Sequence, residues 1–271
     1  MKFFRTLATL FMACVAALMS TTANADEPYP GNYAKAPRFK ALIYYSTDAE
    51  LAHVQFAEQA IAFFKDLNVG DGFILDTTTS LAGYPYDRLK DYDVMIVINA
   101  SPWAPKEREA FEKYMENGGG WVGFHAAGYH DANTKWEWFE QFLGAGTFLC
   151  NNWPPQPALL QVDMTNHPVT KNLPVEFVAA KCEWYMWNRP ANSRENVDVL
   201  LSLSPKNYPI GIKDIVSFGE FPIVWTNRDY RMIYLNIGHG DEEFKSPTQN
   251  LLLINALRWI VSRSPKGNPF K

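Results

Sequence analysis

Cysteine is scarce, three residues in a chain of 271, which is too few for a disulfide framework. A chain this long needs none, because folding buries roughly three quarters of its unfolded surface without staples or a structural metal. Long apolar runs are also missing, and nothing approaches the roughly 20 apolar residues of a membrane-spanning helix. Basic clusters are the third absence. Without them, neither a nucleic-acid backbone nor an anionic membrane surface is an expected partner. Internal repeats and low-complexity tracts are lacking too. What is there, 47% hydrophobic and 20% charged residues, is the profile of a folded globular protein.

The first 25 residues stand apart. Lys2 and Arg5 make a basic start, Leu7 to Met19 is apolar, and Ala23-Asn24-Ala25 is a small-x-small cleavage site. This order predicts a signal peptide cut after Ala25 and an exported protein, periplasmic or secreted. A lipid anchor on Cys14 is disfavoured, since Phe11-Met12 stand where a Leu and a small residue are wanted. Without Lys2 and Arg5 the chain carries 23 basic against 29 acidic residues, a net charge of −6. Cys150 and Cys182 then remain, as a pair able to bridge in an oxidising compartment or as two small buried hydrophobes. Their spacing does not decide.

Residues 26–39, rich in Pro, Tyr and Lys, read as an extended leader, 40–263 as one α/β domain and 264–271 as a tail. Short apolar strands alternate with amphipathic helices from the start of the domain. Lys40 to Tyr45 is strand-like, and Leu51 to Leu67 carries Val54, Ala57, Ile61 and Phe64 at helical spacing. Gly72 to Thr77, Val94 to Ile98 and Trp121 to Phe124 are further strands, the second apolar enough to be covered on both faces of a parallel sheet. Pro105 and three early glutamates start a helix that Gly118 follows. Right-handed crossovers of this kind build a doubly wound, mostly parallel sheet with helices on both faces. The second half is β-rich, with strands expected at 159–163, 176–187, 197–203, 222–226 and 232–237 before an apolar helix from Ser246 to Val261.

Ligands of open α/β sheets bind beyond the carboxyl ends of the strands, so polar residues there are the candidates. Four places stand out. In GGGWVGFHAAG, Gly118 to Gly128, the strand ends at His125 between small neighbours, as a sharp elbow requires; the alternative is a packed corner histidine. His53 follows the first strand, as a ligand contact or a plain surface residue. In CEWYMW, Cys182 to Trp187, Glu183 among aromatics is expected to be desolvated with a raised pKa, as suits an acid or base, if it points inward, and part of an amphipathic strand if it points outward. In GHGDEEF, His239 follows the last strand with carboxylates nearby, as a metal ligand, an oriented base or a solvated turn. No HExxH or CxxC spacing accompanies it. Trp136, Trp138 and Trp153 fall outside the strands, where indoles suit stacking on sugar rings, although core packing is the default for any one of them.

Together these residues resemble the ThuA-like family (trehalose utilisation), a relative of the class I glutamine amidotransferase-like, flavodoxin-like fold. The resemblance rests on His53, on Gly118 to Ala127, and on Trp136, Trp138 and Phe139 followed by Gly144 and Phe148. It continues through His167-Pro168-Val169-Thr170, Glu183 to Tyr185, and Tyr234, Gly238 and His239. The chain departs from the family pattern at Cys182 and Phe221, which replace an Asp and a His, and in having no histidine after Phe148. Amidotransferase relatives carry a cysteine where this chain has His125, so thiolate glutaminase chemistry is not expected.

The resemblance implies a carbohydrate-processing enzyme for glycosides or disaccharides, on sugars oxidised at C3, working by C2 proton abstraction followed by elimination or hydrolysis. It assigns His125, Glu183 and His239 to catalysis, and His53, Tyr185, Trp138 and Trp225 to the sugar. A divalent metal, if one is used, is expected on His125 and His239; no cofactor is compelled. The rivals are a carbohydrate-binding protein without turnover and an interaction protein on the same scaffold.

Overall fold

The computed structural model describes residues 38–101, 104–210 and 221–271. The segment expected to be a signal peptide, Cys14 and almost all of the 26–39 segment lie outside these residues.

Eleven strands are present among the described residues: β1 (Lys40–Tyr45), β2 (Ile74–Thr78), β3 (Val94–Ile98), β4 (Gly120–Phe124), β5 (Phe148–Cys150), β6 (Gln156–Val162), β7 (Glu176–Cys182), β8 (Met186–Trp187), β9 (Val197–Leu203), β10 (Pro222–Asn227) and β11 (Arg231–Leu235). Nine of them form one sheet in the order β2-β1-β3-β4-β11-β10-β9-β6-β7, and β5 pairs with β8 apart from it. The first five strands in that order are parallel and the last four join antiparallel. The parallel half is thus a doubly wound flavodoxin-like sheet, and the β-rich half of the sequence is its antiparallel extension.

The sheet buries both faces. Strand β3, Val-Met-Ile-Val-Ile, has every residue covered, because alternate side chains enter opposite cores. On one face, α1 (Leu51–Asp71) and the C-terminal helix pack Phe56, Phe64, Leu253 and Ile260 against Val94, Ile96, Phe124 and Ile233. On the other, three helices, α2 (Tyr86–Leu89), α3 (Pro105–Glu116) and α4 (Glu137–Leu143), bring Leu89, Phe111, Tyr114 and Phe142 onto Met95, Trp121 and Met232. The C-terminal helix, α5 (Pro247–Ser262), starts with proline at its first position, and the Ser246 hydroxyl accepts from the Gln249 N–H. No described helix is long and apolar enough to cross a membrane.

Three expectations need correction. The strand expected over 176–187 ends at Cys182, because Asn152 Oδ1 takes the Trp184 N–H at 2.6 Å and Asn236 Oδ1 takes the Tyr185 N–H at 2.8 Å. Side-chain amides replace the ladder partners there, so residues 183–185 leave the sheet. Residues 264–271, expected as a tail beyond the domain, pack on it, since Phe270 lies edge-on against Phe39 and Lys266 is 3.6 Å from Asp93. Trp136 and Trp138 are not free platforms, because their indoles donate to Glu112 (2.6 Å) and Glu116 (2.8 Å), two carboxylates one turn apart on α3.

Cys150 and Cys182 are both free, the first exposed and the second buried.

Candidate functional site

At the carboxyl ends of the parallel strands, His53, His125, Glu183 and His239 meet. Each arrives from a different element. His53 lies in the first turn of α1, after β1. His125 directly follows β4 and His239 follows β11. Glu183 follows β7, at the far edge of the sheet. Strands β7 and β11 are four positions apart, about 19 Å if the sheet were flat. Yet Cys182 Sγ, at the end of β7, donates to Asn236 O at 3.2 Å just past β11. The antiparallel half therefore curls back over the strand ends and carries Glu183 with it.

The elbow at His125 has a backbone reason. Its φ is +50°, a left-handed conformation that a side-chain-bearing residue adopts only when its surroundings fix it. Tyr234 Oη donates to His125 O at 2.9 Å and holds that turn. Gly238 is needed beside it: a Cβ there would lie 2.3 Å from His125 Cβ.

Asn99, which the sequence reading passed over, ties the site together. It follows β3, is buried, and has φ +50°. Its amide nitrogen donates to His53 O (3.2 Å) and Gly238 O (2.8 Å), while its Oδ1 accepts from Ala126 N (3.2 Å). One side chain thus fixes the backbone at, or one residue from, each of the three histidines. Its position immediately after an apolar strand was the available signal.

The Glu183 carboxylate lies among the rings. Oε2 is 3.5 Å from His125 Nε2 and 3.7 Å from His53 Nε2, and Oε1 accepts from Asn151 Nδ2 at 3.0 Å. The His53 ring centroid is 4.9 Å from that of His125 and 5.2 Å from that of His239. The distances to Oε2 suit ion pairs, and the Nε2 atoms of His53, His125 and His239 are all buried without a hydrogen-bond partner among the described residues. Tyr185 covers the cluster, its ring centroid 4.2 Å from that of His125.

Electrostatics set the protonation states. Burial pushes the His125 imidazolium down to about 4, with Glu183 opposing the shift. Burial also lowers His239, again against the pull of Glu183. For Glu183 burial acts upward, but the neighbouring His125 and His53 outweigh it and hold the carboxyl below its usual range. The Tyr185 phenol is raised by burial and stays protonated. At neutral pH the cluster is therefore an ionised carboxylate beside neutral His125 and His239. Asn236 Oδ1 is committed to Tyr185 N, so its amide nitrogen faces His125 Nδ1 at 3.3 Å. That network assigns Nδ1 as the acceptor and places the ring proton on Nε2, toward Glu183.

A second missed residue is Glu50. Its Oε1 lies 3.7 Å from His239 Nε2, and donor atoms of Glu50, His53, Glu183 and His239 all fall within 4.8 Å of one another. The Glu-x-x-His spacing of Glu50 and His53 was the readable cue. Of the expected metal pair, His239 is in this donor set and His125, whose Nδ1 faces the Asn236 amide, is not.

Two of the tryptophans expected at the sugar are elsewhere. Trp138 stacks on Phe142 at 5.1 Å on the outer helical face. Trp225 is fully buried, donates to Leu143 O at 2.6 Å, and lies behind Tyr234. Only Tyr185 of the expected aromatic contacts reaches the histidines.

Comparison with known proteins bears on the same residues. The family model ThuA, described as trehalose utilisation, matches residues 40–260. A ThuA-like protein of Bacteroides uniformis is 67% identical, with 90% of this chain and 99% of that one covered at a TM-score of 0.84. A ThuA-like protein of Parabacteroides merdae, 20% identical over 85% and 92% of the two chains, has a TM-score of 0.61. A cytoplasmic protein of Salmonella typhimurium shares the fold at 13% identity and a TM-score of 0.51, over 81% and 98% of the two chains. The curated proteins include no significant match.

Proposed function

The chain belongs to the ThuA family, trehalose utilisation, and from that premise we propose that it is an exported enzyme that cleaves glycosides oxidised at C3. The family gives a carbohydrate-related role; the chemistry is our reading of the site. A keto group at C3 acidifies the C2 proton, so a carboxylate can start the reaction by taking that proton. The observation that carries the reading is the Glu183 carboxyl lying 3.5 Å from His125 Nε2, at the carboxyl ends of the strands.

Glu183 is the base. Asn151 on one oxygen and the His125 ring beside the other fix its direction. As the C2–H bond breaks, its electron pair forms the C1=C2 double bond, and the C1–O bond breaks in turn. The glycosidic oxygen leaves with the proton returned through the Glu183–His125 pair. Water added across the product double bond would complete a net hydrolysis.

A divalent cation fits beside this pair. Glu50, His53 and His239 offer an acidic and two imidazole donors, and both imidazole Nε2 atoms lack hydrogen-bond partners among the described residues. Their donor atoms lie within 4.8 Å of one another, so these residues would hold the cation once the side chains draw together around it. When bound, such a cation supplies positive charge for an enolate oxygen. Three protein donors leave coordination positions free, and Glu183 stays with the proton.

Incubating the mature protein with methyl and phenyl glucosides and their 3-keto forms, with and without a chelator, tests this. Release from the keto substrates alone, suppressed by the chelator, is expected. No release from any of them would refute the reading. Export is proposed from the basic, apolar and small-residue order of the leader, and mass spectrometry of secreted material should find an N-terminus at Asp26.

A further inference from the structure

A cavity lies beside the cluster and has no part in the proton chemistry. Its volume is about 340 Å³, and Leu149, Tyr185, Met186, Trp187, Phe221 and Pro222 make its apolar walls, with Asn188 and the Cys150 thiol as polar features. Two links connect it to the histidines. Tyr185 is a wall of the cavity and packs its ring 4.2 Å from His125. Cys150 is followed directly by Asn151, whose amide holds Glu183 Oε1 at 3.0 Å. From Glu183 to Met186 is three residues, roughly 10 Å of extended chain, so a ligand about two rings long would span both places.

We infer that this cavity holds the leaving group of the substrate, and that the leaving group is aromatic. This rests on the reading of the histidine–Glu183 cluster as the place where the sugar reacts. A second sugar would bring several hydroxyls into a space walled by Leu149, Met186, Trp187, Phe221 and Pro222, where few partners exist and each unpaired hydroxyl is unfavourable. A phenyl or larger aryl group leaves no such groups unpaired and packs against Trp187 and Tyr185. Size agrees, since roughly 150 Å³ suffices for benzene. The elimination also favours such a leaving group, because a phenol departs from C1 more readily than an alkyl alcohol. The substrate class is therefore an aryl 3-keto glycoside, with the sugar at the histidines and the ring against Leu149, Met186 and Trp187.

The test has two arms. In the first, 3-keto glucosides sharing one sugar and carrying methyl, glucosyl or phenyl aglycones are compared by kcat/KM, for wild type and Leu149→Glu. Leu149 is 59% exposed, so its replacement leaves the core alone, and Leu149→Ala serves as a second variant. The expected result is a preference for phenyl over glucosyl of about tenfold or more in wild type, falling to about threefold or less in Leu149→Glu. In the second arm, alkylation of Cys150 by iodoacetamide is followed with the unoxidised phenyl and methyl glucosides present, against Cys150→Ser as the blank. Phenyl glucoside should slow the reaction several-fold and methyl glucoside should not. Equal rates on all three aglycones, or a glucosyl preference, would overturn the inference while leaving the proposed reaction standing. No turnover of any 3-keto glucoside would sink the reaction, and Cys150 unprotected by phenyl glucoside would then sink the cavity assignment on its own.

Discussion

Removing the Asn99 side chain strikes all three histidines at once. Asn99→Ala deletes two bonds from the amide nitrogen, to His53 O and Gly238 O, and one accepted from Ala126 N. At about 0.5–1.5 kcal/mol net for each, the loss is roughly 1.5–4.5 kcal/mol. Alanine must also hold φ near +50°, which adds about 1–2 kcal/mol that glycine would not incur. Asn99→Ala should therefore lower the unfolding free energy by roughly 2.5–6.5 kcal/mol, and Asn99→Gly by about 1–2 kcal/mol less. Urea unfolding of the mature chain gives both numbers, provided the slope with denaturant stays the same. Because Asn99 fixes the backbone at His53 and next to His239, both variants should also weaken divalent-cation binding by about 10–100-fold, as loss of an orienting group does. If both variants unfold within about 0.5 kcal/mol of wild type, Asn99 is not the tie described here.

Other outcomes follow from the same contacts. Gly238→Ala forces a Cβ to within 2.3 Å of His125 Cβ; it should cost about 1–3 kcal/mol in the same unfolding assay and abolish aglycone release. In calorimetric titration with zinc or manganese, Glu50→Gln, His53→Ala and His239→Ala should each weaken binding about tenfold or more. His125→Ala, outside the donor set, should keep binding within about threefold yet lose turnover. Because Cys150 and Cys182 are both free, reductant should leave the melting temperature of the mature chain unchanged within about 1 °C; a drop of several degrees would mean a bridge of the kind worth about 2–4 kcal/mol.

The parallel half of the fold was legible because its strands obey one simple rule. Val-Met-Ile-Val-Ile fills two cores at once and has no other comfortable place than mid-sheet. His53, His125 and His239 were legible for a related reason, each lying just beyond such a strand. Residues 183–185 were not, since alternating apolar residues continue through Trp187 while the backbone partners are the side-chain amides of Asn152 and Asn236, distant in sequence. The tryptophans misled in the same way. Trp138 looks like a surface platform until Glu116, 22 residues earlier, is found taking its N–H. Asn99 and Glu50 were missed because asparagine and glutamate beside a strand or helix end are ordinary there, and only their contacts across the sheet distinguish them.

The curl that returns β7 to the mouth of the sheet has a consequence for assembly of the protein. The imidazoles follow three strands of the parallel half, β1, β4 and β11, whereas the carboxylate follows the outermost strand of the antiparallel half. A partly folded chain holding only residues up to β4 and the elbow would have His53 and His125 without His239 or the base, and so would be chemically silent. A sugar bridging the two would act as a rivet, its affinity returned as resistance of that outermost strand to peeling away.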